Sequence, residues 1–201
     1  MQRPIAATLL AWSLALAGCG DGGGAGDGRD TTAGAALDTA SSVGDTGSAA
    51  GAGNQSSAAM RDARGRDLGT LTLAPDGEGI KVSGRLVGLP PGEHGIHLHA
   101  AGRCEPPKFE SAGDHWNPTN RQHGTGSPKG PHLGDLPNLE VARDSSVTVE
   151  ETTPGGALSG AAALLDADGA AVVVHASPDD YKSQPSGGSG DRVACGVVTG
   201  S

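Results

Sequence analysis

From about residue 57 onward, apolar and polar side chains alternate in short runs. Leu71 and Leu73 alternate with Thr70 and Thr72. Ile80, Val82 and Leu86 keep the same period of two, with Gly84 in the phase between them. Ile96 and Leu98 alternate with His97 and His99, and Val147 and Val149 alternate with polar neighbours. Ala171 to Val174 and Val197 to Val198 are short continuous apolar runs. A period of two puts successive side chains on opposite faces of an extended chain, which predicts half-buried strands. Turn-forming clusters separate the runs: Pro75-Asp76-Gly77, Leu89-Pro90-Pro91-Gly92, Pro154-Gly155-Gly156 and Asp166-Ala167-Asp168-Gly169. Proline presets a turn and glycine permits positive φ. No long stripe at helical spacing is present. Short strands with Gly/Pro turns predict an all-β sandwich or barrel.

Two segments break this rhythm. Residues 100 to 139 form a long stretch holding His115, His123 and His132, and residues 177 to 191 are long and polar. Unstructured segments longer than about 15 residues in a compact domain are usually functional or disordered. The histidine content of the first marks it as functional.

The first part of the chain follows different rules. Arg3 precedes an apolar run, Ile5 to Ala17, broken by Thr8 and Ser13 and ending in Leu16-Ala17-Gly18-Cys19. A basic start, a short apolar run and small residues describe an export signal, too short to span a bilayer comfortably. The Leu-Ala-Gly-Cys ending resembles the processing site of bacterial lipoproteins. That resemblance implies a signal peptide over 1–18, a lipid on Cys19 and a membrane anchor through it. The alternative is an ordinary secretory signal with Cys19 discarded. Residues 19–56 carry Gly, Ala, Ser, Thr and Asp with almost no large apolar side chain, which reads as a flexible tether. Residues 57–201 form the expected domain. The expected location is therefore the periplasm or cell envelope. Asn54-Gln55-Ser56 matches a glycosylation pattern, taken as chance in a bacterial chain.

Composition adds one exclusion. The net charge of -9, with no cluster of Lys and Arg, excludes a nucleic-acid partner. Glycine is high at 35 residues, but much of it precedes residue 60 and belongs to the tether. The three cysteines, Cys19, Cys104 and Cys195, leave one odd thiol, and lipidation of Cys19 would account for it.

All seven histidines fall in the domain. His97 and His99 stand two apart on an expected strand, so both rings leave one face. His175 ends another apolar strand and can approach the same patch. His115, His123 and His132, with Asp135 just after, make three imidazoles and a carboxylate, a set suited to closed tetrahedral zinc. Imidazole-rich open sites suit copper. His94 reads as structural. A zinc hydrolase would need a general base beside an open metal, and the chain has no His-Glu-x-x-His.

Longer motifs now become recognisable. They are Gly95-Ile96-His97-Leu98-His99, Gly102-Arg103-Cys104, Ser111-Ala112-Gly113-Asp114-His115-Trp116-Asn117-Pro118, Arg121-Gln122-His123-Gly124 and Pro131-His132-Leu133-Gly134-Asp135-Leu136. Val173-Val174-His175 and Asp191-Arg192-Val193-Ala194-Cys195-Gly196-Val197 complete the series. In this order they resemble the copper/zinc superoxide dismutase family, in its bacterial exported branch. The resemblance implies an eight-stranded antiparallel Greek-key β-barrel, an immunoglobulin-like sandwich with two long functional loops. It implies a copper ion on His97, His99, His115 and His175, and a zinc ion on His115, His123, His132 and Asp135, with His115 shared. It further implies Asp179 as the carboxylate linking His97 to His123, and a Cys104–Cys195 disulfide.

The implied activity is disproportionation of superoxide to oxygen and hydrogen peroxide, with Arg192 binding the anionic substrate and His115 moving a proton. The alternative is a non-catalytic copper/zinc-binding module of the same fold. Exported members include monomers and dimers, so a homodimer stays open. Asp114 and the bulky Trp116 beside His115 depart from the familiar pattern. The segment 180 to 191 is shorter than the substrate-steering loop of the eukaryotic branch, leaving Lys182 or Lys129 as candidates for that role.

Overall fold

The computed structural model describes residues 54–200. The expected signal peptide, the lipidation site at Cys19 and the tether up to residue 53 lie outside the described residues. Ser56, assigned above to the tether, already belongs to the first strand.

Nine strands follow in order: β1 Ser56–Asp62, β2 Asp67–Asp76, β3 Gly79–Val87, β4 Gly92–His94, β5 Ile96–His99, β6 Leu139–Val141, β7 Ser146–Thr152, β8 Ala170–His175 and β9 Arg192–Gly200. A single 3-10 turn, Glu110–Ala112, is the helical element among the described residues. Every strand pairing is antiparallel. One curled sheet runs β5-β8-β9-β1-β2-β3-β7, and a second pairs β4 with β6. The chain crosses from β7 at one edge to β8 near the other, as Greek-key connections do. β4 and β5 are one stretch of chain interrupted at Gly95. Counted together they give eight strands, one of them shared between the two sheets. Gly95 sits at the break because its N–H and carbonyl are used by Ser177 and His175, at 2.9 and 2.8 Å.

Period two governs burial where it was expected. Leu71 and Leu73 on β2, and Ile80, Val82 and Leu86 on β3, all face the core. β2 runs through Pro75 to Asp76, later than the expected turn. Its pairing with β1 stops at Leu73, so Pro75 lies on a free edge, where proline is tolerated. β8 is buried at all six positions, which explains its unbroken apolar run. Ala170, Val172 and Val174 enter the main core, while Ala171 and Val173 join a second cluster with Phe109, Ala112 and Cys195. That second cluster fastens the 100–139 segment over the outer face of β8. The Cys104–Cys195 disulfide does the same covalently, tying the segment to β9.

Candidate metal centre

The site is built on the outer face of β5, β8 and β9. Ile96 and Leu98 point into the core, so His97 and His99 point outward. In the register of β5 with β8, His97 faces Val173 and His99 faces Ala171. His175 closes β8 opposite Arg192, beside an irregularity after Val174. The long segment returns over this face in two isolated bridges, His99 with His115 and His97 with Asp135. Leu98 holds both returns. Its N–H donates to Gly134 at 2.9 Å and its carbonyl accepts from Trp116 at 2.8 Å.

Two four-residue groups result, with ligand atoms within 4.8 Å of one another: His97, His99, His115 and His175, and then His115, His123, His132 and Asp135. His115 belongs to both. Every one of these residues is buried. Five imidazole nitrogens in them have no hydrogen-bond partner: His97 Nδ1, His99 Nε2, His115 Nε2, His132 Nδ1 and His175 Nε2. Burying a polar atom without a partner is costly, so the four that converge in the first group, His97 Nδ1, His99 Nε2, His115 Nε2 and His175 Nε2, point to a shared electrophile.

The opposite nitrogens show which lone pair is left free. His99 Nδ1 lies 2.9 Å from the Gly113 carbonyl, and His97 Nε2 lies 2.8 Å from Asp179 Oδ2. His175 Nδ1 lies 3.3 Å from the Gly190 carbonyl. Each contact turns the other nitrogen toward the centre, as outer partners of metal-bound histidine do.

In the second group, Asp135 Oδ1 stands 2.8, 3.0 and 3.3 Å from the Nδ1 atoms of His115, His123 and His132. A tetrahedron with metal–ligand bonds of about 2.0 Å has edges of about 3.3 Å, so this spacing fits four zinc ligands. Asp135 Oδ2 is held apart from them by the N–H groups of Gly124 and His132, at 2.8 and 3.0 Å. The residues therefore fit both metals: an imidazole-only set and a three-imidazole, one-carboxylate set.

Electrostatics agree for the imidazole-only group. Burial lowers His115 to about 4 and His175 to about 3, and lowers His97 and His99 as well. Neutral imidazoles keep their lone pairs for a metal. Burial would also lower His123, but its hydrogen bonds to Asp135 and Asp179 raise it to about 9. The same contacts outweigh burial and hold both carboxyls far below their ordinary range.

Asp179 makes the expected link, with Oδ1 2.9 Å from His123 Nε2 and Oδ2 on His97. Asn138 escaped the sequence reading. Its side chain donates to the Asp179 carbonyl at 3.0 Å and accepts from the Asp179 N–H at 2.9 Å. Gln184 likewise brackets His123, accepting from its N–H and donating to its carbonyl. Local pattern carries no signal for either, because both act across 41 residues or more. His94 stays outside both groups and hydrogen-bonds the carbonyls of His175 and Pro90.

Arg192 is half-buried and donates to the carbonyls of Phe109 and Gly113, both at 2.7 Å. It borders a cavity of about 620 Å³ together with His115, His175, Trp116, Asp114 and Asp166. Neither Lys129 nor Lys182 borders it.

The family model described as copper/zinc superoxide dismutase matches residues 68–198. A superoxide dismutase [Cu-Zn] of Caulobacter vibrioides is 44% identical over 145 residues, covering 70% of this chain and 83% of the relative. Superoxide dismutase [Cu-Zn] 1 of Aquifex aeolicus is 39% identical over 138 residues, covering 67% and 82%. Among solved structures, a superoxide dismutase-like protein from Bacillus subtilis superposes with a TM-score of 0.68 at 37% identity, covering 71% of this chain and 97% of that one.

Proposed function

The chain belongs to the copper/zinc superoxide dismutase family, and from that premise we propose that it disproportionates superoxide. Two superoxide anions and two protons give one oxygen and one hydrogen peroxide. The observation that carries the proposal is the sharing of His115 between two buried ligand groups whose free nitrogens converge. His97 Nδ1, His99 Nε2, His115 Nε2 and His175 Nε2 would hold copper; His115 Nδ1, His123 Nδ1, His132 Nδ1 and Asp135 Oδ1 would hold zinc. When bound, copper supplies a one-electron acceptor and donor, and zinc supplies charge without redox change.

The chain's own residues supply the rest. Arg192 carries a permanent charge, and its guanidinium is fixed by two carbonyls while still bordering the cavity. It binds the anion beside the imidazole group. His115 Nε2 takes and returns a proton, while Asp135 and the zinc group keep the ring in place through Nδ1. Asp179 holds the rings of His97 and His123 by their Nε2 atoms, so neither can rotate away. The test is superoxide removal by the folded chain loaded with copper and zinc. Turnover proportional to copper content is the expected result. A fully loaded, folded sample without turnover would leave a metal-binding module of the same fold.

We propose also that the chain is exported and anchored by a lipid on Cys19, with a signal over 1–18 and a tether from Cys19 that ends before β1 at Ser56. The Cys104–Cys195 disulfide supports an oxidising compartment and leaves Cys19 as the remaining cysteine. Labelled fatty acid should enter the wild type and not Cys19→Ser. An unlabelled wild type in the soluble fraction would favour the ordinary secretory signal.

A further inference from the structure

The polar segment 177–191 gives the centre one side chain, Asp179, yet it governs His123 in two further ways. Both come from a single turn, through Gln184 and Gly187.

Gln184 is exposed, while His123 is fully buried. Its Oε1 accepts from the His123 N–H at 2.9 Å, and its Nε2 donates to the His123 carbonyl at 3.0 Å. The same Nε2 donates to the Lys182 carbonyl at 2.9 Å, inside its own turn. A primary amide carries an acceptor beside two donors, so it can grip both main-chain groups of one residue. An apolar side chain of the same length cannot.

Gly187 acts through the side chain it lacks. It is buried, with φ 65°. Its N–H donates to the Ser183 carbonyl at 2.7 Å, and its carbonyl accepts from the Asp180 N–H at 2.9 Å. The main chain there is pinned on both sides. A Cβ at this point would overlap the Asp179 carboxylate and stand 2.7 Å from His123 Nε2. It would evict Asp179 Oδ1 from its contacts with His123 Nε2, at 2.9 Å, and with the Tyr181 N–H, at 2.6 Å.

We propose that Gln184 and Gly187 are positioning residues for His123. Gln184 grips its main chain, and Gly187 leaves the space in which Asp179 holds its Nε2. Nδ1 is then the nitrogen turned toward Asp135 Oδ1, at 3.0 Å. A ligand held from two sides before metal arrives has less freedom to lose on binding, so the turn raises zinc affinity. The proposal rests on the assignment of zinc to His115, His123, His132 and Asp135, and not on turnover.

The test titrates the full chain, disulfide intact, with zinc against a competing chelator. Gly187→Ala and Asp179→Ala should each weaken zinc binding about 10- to 100-fold. The double variant should bind as weakly as Asp179→Ala alone, within about twofold, because the added methyl then has no carboxylate to evict. Strain of an alanine at positive φ is present with and without zinc and cancels from the affinity. Additive losses would therefore overturn the route through Asp179. Cobalt(II) in the same group gives a second readout: its visible absorption in Gly187→Ala should match Asp179→Ala and differ from wild type. Gln184→Met keeps side-chain length and loses the grip, so zinc should bind about tenfold more weakly. A lower melting temperature with wild-type zinc affinity would make Gln184 a support of the fold alone and overturn its part. Gln184 is on the surface, so its variant decides the matter even where Gly187→Ala does not fold. A wild type that takes up no zinc would overturn the zinc assignment itself; zinc-tight variants beside a zinc-binding wild type would overturn this inference alone.

Discussion

Metal removal should make this domain acid-sensitive over a pH range where most folded proteins are indifferent. In the metal-free chain, burial holds His115 at about 4 and His175 at about 3. An unfolded imidazole titrates at about 6.5. Both groups have depressed folded values, so their contribution is fully present above 6.5 and is lost as pH falls toward the folded values. Between pH 7 and pH 5 the unfolded state takes up protons that the folded state refuses. The loss works out at about 2 kcal/mol for each group, or about 4 kcal/mol together. His97 and His99 push in the same direction. Domain stabilities are about 5–15 kcal/mol, so a loss of this size is a large share of the total. His123 has the opposite sign. Raised to about 9 by Asp135 and Asp179, its contribution is complete below 6.5 and disappears as pH rises through 9. Metal-free stability should therefore peak at about pH 7. Urea unfolding of the chain expressed from residue 20, stripped of metal with the disulfide intact, measures this directly, and the buried Trp116 reports it by fluorescence. Midpoints that stay flat or rise from pH 7 to pH 5 would refute the claim that these imidazoles are buried in the neutral form.

Other changes test single parts of the structure. Replacing Cys104 and Cys195 by serine opens a closure spanning 91 residues and should cost about 4–5 kcal/mol by loop entropy, read as a lower urea midpoint. Asp179→Asn should loosen the rings of His97 and His123 and weaken zinc affinity about 10- to 100-fold, measured by competition with a chelator. Gly134→Ala would drive a Cβ into the Leu98 carbonyl and the Trp116 backbone, and overpacking of this kind should cost about 1–3 kcal/mol in a thermal melt. Arg192→Ala should retain both metals and lose about 10- to 100-fold in superoxide removal, the loss of a charge-assisted contact. An unaltered rate at low salt would remove Arg192 from the site.

The fold was legible where burial makes a strand alternate between large apolar and polar side chains. Leu71, Leu73, Ile80 and Val82 show this plainly. β1 was invisible because its inward positions are Ser56, Ala58 and Met60, and its outward ones include Ser57 and Ala59. Small side chains give the same period in burial without giving it in hydrophobicity. β9 extends well beyond Val197 and Val198, since pairing with β1 and β8 on its two sides carries it from Arg192 to Gly200. Such pairing is a tertiary fact. The break at Gly95, which divides one strand between two sheets, depends on contacts with Ser177 and His175 that no local window contains.

The centre was legible for a related reason. Candidate metal ligands are recognised by side-chain type, so His97, His99, His115, His123, His132, Asp135 and His175 stand out by type and spacing. The groups that aim them are mostly backbone: the carbonyls of Gly113 and Gly190, and the N–H groups of Gly124 and His132. Any residue type could supply those atoms, so composition cannot single them out. Arg192, proposed to bind the substrate, shows the consequence. Its identity is written in the sequence, but its usefulness comes from two carbonyls on a segment held down by Phe109, Ala112 and the disulfide. Loosening that small cluster should free the guanidinium without touching a single ligand. Phe109→Ala is accordingly expected to retain copper and zinc at wild-type affinity while superoxide removal falls toward the rate of Arg192→Ala. Equal turnover in Phe109→Ala and wild type would mean that the guanidinium keeps its place without the cluster beneath it.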